Sequence, residues 1–286
     1  MTEGHSPHIF DSRLRAIRRD RAAAGFAGHD FLYRHMLDEL LDRLADVQRD
    51  LPDVLVVGCP DGHARGRLTA MGKRITCTDA GFINALTAGG VQAEEDSLPF
   101  ADNSFDLIIA CGTLDSVNDL PGALILMNRI LRPDGLLLAA FTSAGSLPRL
   151  RAALLAAEGD RPGQHIHPQV DVRAAGDLLG RAGFAMPVAD GDTLTVRYRS
   201  LFGLLDDLRG MAATNILASR APRLTRDILA RAVAHFAAAA DPDGKTSENF
   251  AITYLSGWKP DPSQAKPARR GSATVSLAQA LRPKPL

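Results

Sequence analysis

Between Arg13 and Leu51, apolar residues return every three or four positions, as in Phe31, Leu32, Met36, Leu37, Leu40, Leu41 and Leu44, with charges in the gaps. That period lays one apolar stripe along a helix, so the first fifty residues read as an amphipathic helical lead-in. The pattern then changes. Asp53-Val-Leu-Val-Val-Gly58 is a short β-branched run closed by glycine, which suits a strand buried on both faces of a parallel sheet. A helix from about His63 to Met71 and a second strand, Arg74-Ile-Thr-Cys-Thr-Asp79, complete a β-α-β unit.

The alternation continues with a helix near Phe82 to Ala88, a short strand around Val91 to Glu94 and a strand from Phe105 to Cys111. Pro121 opens a helix to Leu131, Arg132-Pro-Asp-Gly135 turns, and Leu136 to Phe141 is a fifth strand. Strands and helices in this rhythm predict an α/β fold with a doubly wound, mostly parallel sheet. Beyond Phe141 come helices at Pro148 to Ala157 and Val172 to Ala182, separated by a Gly/Pro/His-rich loop at Gly159 to Pro168. Asp192 to Tyr198 and Asn249 to Gly257 read as the last of seven strands. Two helical segments between them, Leu201 to Met211 and Leu224 to Ala240, form an inserted cap over about residues 200–242. The expected organisation is a lead-in over residues 1–50, one α/β domain over 51–258 and a tail over 259–286. Five prolines, Pro260, Pro262, Pro267, Pro283 and Pro285, make that tail a poor contributor to a core, so it reads as extended or disordered, suited to docking.

Composition narrows the class without naming an activity. Hydrophobic residues make up 45% and charged residues 23% of 286 positions, as in ordinary globular proteins. No apolar run reaches membrane-spanning length, and Met1 to Phe10 has no signal-like stretch, so a cytoplasmic protein is expected. Thirty-three basic residues balance 33 acidic ones, which gives no overall pull toward nucleic acid. The local basic run Arg13, Arg15, Arg18, Arg19 and Arg21 reads as a solvated helix face that could dock an acidic partner. Cys59, Cys77 and Cys111 form no metal-like or disulfide-like pattern and read as free, partly buried thiols near strand ends. No metal site is expected.

Ligands of open parallel sheets bind outside the carboxyl ends of the strands, where strand order reverses. The candidates there are Gly58, Cys59 and Gly62 in the first turn, Asp79 and Ala80 after the second strand, Glu94 and Glu95 after the third, and Cys111 and Gly112 after the fourth. Glycine lets the backbone turn tightly and approach a ligand. Asp79 follows that turn by about twenty residues, the spacing at which an acid accepts hydrogen bonds from a ribose diol, the alternative being a cap on the following helix. Glu94, Glu95 and Asp96 could hold an adenine amino group or simply be solvated. A nicotinamide dehydrogenase is disfavoured because GxGxxG spacing is absent after the first strand. His165 and His167 are candidate bases without an evident partner, and no residue declares itself catalytic.

Longer motifs carry a resemblance. Leu98-Pro-Phe100, Asn103-Ser-Phe-Asp-Leu107 and Leu131-Arg-Pro-Asp-Gly135 resemble the class I S-adenosylmethionine (SAM) methyltransferase group that contains the carrier-protein methyltransferase of biotin synthesis. Val117-Asn-Asp-Leu-Pro-Gly-Ala123, Leu178-Leu-Gly-Arg-Ala-Gly-Phe184, Asp207-Leu-Arg-Gly-Met211 with Asn215, and Tyr254-Leu-Ser-Gly-Trp258 resemble the methyltransferase-like assembly factors of respiratory complex I. The mitochondrial member of that family is regarded as a protein arginine hydroxylase, and Gly271-Ser-Ala273 with Leu277-Ala-Gln-Ala-Leu281 is similar to its bacterial branch. The resemblance implies a Rossmann-like methyltransferase sheet, SAM as cofactor and a complex I subunit as partner. Four positions depart from the family pattern: Val56 stands where an acid is usual, Pro60 where a small residue is frequent, and Asp115-Ser116 where His-Trp is frequent. These departures leave open an assembly factor that keeps the fold without turnover.

Overall fold

The computed structural model describes residues 8–159, 162–219 and 221–264. The lead-in is two helices rather than one continuous run: α1 (Ser12–Ala23) and α2 (Phe31–Ala45), separated by a 3-10 turn at Phe26–Gly28. Glycines at Gly25 and Gly28 interrupt the helical period there, as glycine in a helix interior does. Asp11 starts α1 by accepting the Leu14 N–H on its side chain at 2.8 Å, a normal N-cap. The two helices differ in what they bury. Seven apolar or aromatic residues of α2 are buried, whereas α1 buries Arg15, Arg19 and Ala22.

Seven strands form one sheet: β1 (Asp53–Val57), β2 (Arg74–Asp79), β3 (Val91–Gln92), β4 (Phe105–Cys111), β5 (Leu131–Thr142), β6 (Ala185–Tyr198) and β7 (Thr246–Trp258). Their order is β3-β2-β1-β4-β5-β7-β6, with β1 to β5 parallel and β7 antiparallel to both its neighbours, β5 and β6. The doubly wound, mostly parallel sheet expected from the sequence is therefore present. Helices α3 (His63–Ala70), α4 (Phe82–Thr87), α5 (Leu120–Ile130), α6 (Pro148–Glu158) and α7 (Val172–Arg181) connect the strands, and α8 (Leu201–Gly210) and α9 (Arg226–Ala238) stand between β6 and β7.

Alternate strand residues feed two cores. Val54, Val56, Leu107, Ile109, Leu136 and Leu138 pack with α2, α6, α8 and α9 on one face. Leu55, Val57, Ile108, Leu137, Ala139 and Phe141 pack with α5 and α7 on the other. This is the period-two division expected of strands buried on both sides. Strand β6 starts at Ala185, seven residues before the expected Asp192, because it passes through an irregularity between Ala185 and Val188 where Met186 has φ 49°. Its edge position tolerates Pro187 there. Lys259 to Gln264 stay on the body: the Lys259 ammonium donates to the carbonyls of Leu131 (2.7 Å) and Arg129 (3.0 Å). The expected tail beyond Gln264 lies outside the described residues.

Candidate functional site

The sheet order reverses between β1 and β4, so the carboxyl ends of β1, β2, β4 and β5 frame the crevice where such folds take ligands. Gly58 closes β1 with φ +81°, and a Cβ placed on it would stand 2.6 Å from the Cys111 carbonyl oxygen. Only glycine fits that turn. Gly62 is different: it caps α3, and nothing within 4 Å would meet a Cβ. Cys59 and Cys77 are fully buried and Cys111 nearly so, all three as free thiols, more enclosed than the partly buried state expected. Cys111 and Gly112 reach a cavity wall and Cys59 does not.

Asp79 ends β2 and is 1% exposed. Its Oδ1 accepts from the Arg19 Nε (2.7 Å), the Gly81 N–H (2.8 Å) and the Asn84 amide (3.3 Å), and its Oδ2 from the Arg19 Nη2 (2.5 Å). Ala80, beside it, is buried, and its carbonyl accepts from the Gln92 amide at 3.0 Å. Glu95, also 1% exposed, takes both terminal nitrogens of Arg15 at 2.6 and 2.8 Å and the Thr113 hydroxyl. Glu94 shares the Arg15 Nη1 at 2.8 Å. Burial works against the Glu95 carboxylate, yet the charge and hydrogen bonds of Arg15, with the Thr113 hydrogen bond, hold it below the usual carboxylate range. For Glu94 burial prevails over Arg15 and its pKa is raised.

The α1 arginines correct one expectation. Arg13 and Arg21 are exposed, as a solvated face requires, but Arg15 and Arg19 are buried against the acids of the crevice. Arg18 is held between, donating to the Thr214 hydroxyl at 2.7 Å and to the Asn215 carbonyl. The sequence carried a faint signal: Arg15 and Arg19 are four apart and share one helix face. What that face meets comes from loops about 60 to 80 residues away.

Two neighbouring cavities open beside this cluster. The smaller, about 70 Å³, is bounded by Arg19, Tyr33, Pro60, Asn84, Cys111 and Gly112. The larger, about 270 Å³, lies between the sheet ends and the cap, with Leu150, Leu154, Leu201, Leu208 and Phe250 in its walls. Asp115 and Thr142 line both, and the Thr142 hydroxyl donates to the Asp115 carboxylate. His167 lines the larger cavity, but its Nε2 accepts the Ile216 N–H at 2.9 Å. Burial lowers its pKa, more than Asp115 raises it. The imidazole is thus neutral with its lone pair engaged, not a free base. His165 pairs with Glu158 at 2.6 Å. Among the described residues no group of three or more His, Cys, Asp and Glu is placed to hold a metal.

The topology and the acids at the strand ends define a class: this is the Rossmann-like fold of class I SAM-dependent methyltransferases. Residues 55–139 match the family described as a methyltransferase domain. The YcgJ protein of Bacillus subtilis has the same fold, with a TM-score of 0.55 at 17% identity over 80% of this chain and 99% of its own. Within that class, the arginine-hydroxylase NDUFAF5, mitochondrial, of Danio rerio is 36% identical over 95% of this chain and 89% of its own. The chain belongs to the family of that protein. A malonyl-[acyl-carrier protein] O-methyltransferase of Gallionella capsiferriformans is 28% identical over 94% of this chain and 97% of its own.

Proposed function

We propose that the chain is a SAM-binding enzyme that modifies a protein substrate during assembly of respiratory complex I, a complex I subunit being its partner. The observation that carries this reading is the meeting of an obligatory glycine turn (Gly58) with carboxylates at the ends of β2 and β3 (Asp79, Glu94, Glu95) at the sheet's switch point. The matched methyltransferase domain supports SAM as the cofactor. The donor set fits that molecule in kind. Asp79 would hold the ribose diol, Glu94 and Glu95 the adenine amino group, and Gly58 and Gly112 the methionine end. Bound there, SAM supplies an electrophilic methyl group on a sulfonium.

The chain's own residues do the rest. Asp115, fixed by Thr142, offers a carboxylate where the two cavities meet, and the leucine-rich walls exclude water from an aliphatic stem placed against them. A basic side chain of a substrate protein suits that combination, as the arginine-hydroxylase relatives suggest. Isothermal calorimetry with SAM tests the reading. Millimolar SAM giving neither heat nor thermal stabilisation would overturn it. Mass spectrometry of a complex I subunit incubated with the protein, SAM, dioxygen and a reductant then separates methylation, which adds a net CH₂ from SAM, from hydroxylation, which adds one oxygen atom of dioxygen.

One observation favours a second reading, an assembly factor that keeps the fold without turnover. Arg15 and Arg19 already engage Glu95 and Asp79, the acids a nucleoside needs. A subunit recovered in pull-downs with SAM-blind protein would select it.

A further inference from the structure

We propose that α1 is an intramolecular ligand of the cofactor crevice, with Arg19 and Arg15 seated on the carboxylates that the nucleoside end of SAM would take. The helix must then leave before that end can enter. The proposal rests on the SAM-binding reading above.

A carboxylate offers about four acceptor positions. Asp79 accepts four hydrogen bonds, three on Oδ1 from Arg19, Gly81 and Asn84 and one on Oδ2 from Arg19. Glu95 accepts three, two from Arg15 and one from Thr113. The helix rides directly on the turn after β2: a Cβ on Gly81 would stand 2.8 Å from the Arg19 Cβ, and the Ile83 N–H donates to Asp20 at 2.8 Å. Asp79 and Glu95 are each 1% exposed, and neither lines the two cavities beside them, whose walls hold the arginines instead. With α1 in place the adenosine half of the crevice is closed.

The same helix is built to let go. Its buried residues are two arginines and one alanine, so ion pairs rather than apolar area seat it. Desolvated ion pairs roughly break even against hydration, and the buried Arg15 Nε finds no hydrogen-bond partner among the described residues. An equilibrium so poised shifts when a ligand binds one state better than the other. The residues on either side set the range of motion. Phe10 pairs with Leu217 as an isolated antiparallel bridge at one end, and Gly25 and Gly28 stand between α1 and α2 at the other.

The test is hydrogen–deuterium exchange of the full-length protein with and without millimolar SAM, joined to calorimetric SAM titrations of wild type and the double variant Arg15→Gln/Arg19→Gln. Faster exchange in residues 12–23 on adding SAM, with the double variant binding about tenfold tighter than wild type, is the expected result. SAM binding by wild type with α1 protection unchanged or increased would overturn the proposal and leave the cofactor reading standing. No binding by either folded protein would overturn both. Should the variant fail to melt cooperatively, the wild-type exchange data decide alone.

Discussion

Arginine–carboxylate pairs sit at both ends of the same strands. At the amino end Asp53 opens β1 and binds Arg74 (2.6 Å) and Arg132 (2.8 Å), with Arg132 also reaching Asp106 (2.8 Å). At the carboxyl end Asp79 and Glu95 bind Arg19 and Arg15. The first set is open to water, with the Arg74 side chain 69% exposed. The second is sealed. Exposed pairs contribute little because water and salt screen them, whereas a sealed pair has lost its hydration and depends on its partner. The sheet thus uses one chemistry twice: as a surface fastening at its amino end, and as a sealed cluster beside the crevice at its carboxyl end.

The largest expected effect comes from breaking a sealed pair. Glu95→Gln leaves Arg15 buried without its main counter-charge and should lower the unfolding free energy by about 3–5 kcal/mol in chemical denaturation. Gly58→Ala, at the same end, should cost about 2–3 kcal/mol, since φ +81° is strained for any side chain and a Cβ would crowd the Cys111 carbonyl. Its SAM titration should show weakened or absent binding.

Acid separates the two ends more gently. The folded Glu95 has its pKa lowered from 4.5, so its contribution is complete above that value and is lost as pH falls through the lower folded one. The melting-temperature gap between wild type and Glu95→Gln should therefore close as pH drops below 4.5. Glu94 has the opposite sign, its pKa being raised, and partly offsets the trend. The hydrogen bonds of Arg74 and Arg132 take Asp53 down to about 2, but Asp53→Asn should change stability by no more than about 1 kcal/mol, and less in high salt. An effect of Asp53→Asn as large as that of Glu95→Gln would erase the distinction between the ends.

Much of the architecture was legible because its signals are local. The run Val54 to Val57 closed by Gly58, the acid at Asp79 and the strand–helix alternation each follow from neighbouring residues. The motifs around Leu98, Asn103 and Leu131 point to the class, and those around Val117, Leu178, Asp207 and Tyr254 to the family. What stayed hidden depends on distant parts of the chain. The basic run from Arg13 to Arg21 looked solvated because nothing beside it indicates that loop acids at Glu94 and Glu95 come to meet it. The early start of β6 was masked by Met186 and Pro187, which break the alternation at an edge strand. The larger cavity draws its walls from α6, α8 and the loops at 165–169 and 211–216, a gathering that no single stretch announces.

A structure of the protein crystallised with SAM tests the central claim most directly. The account predicts the nucleoside on Asp79 with the Arg19–Asp79 and Arg15–Glu95 pairs broken and α1 moved off the turn after β2. SAM bound at the strand ends with both pairs intact would contradict it.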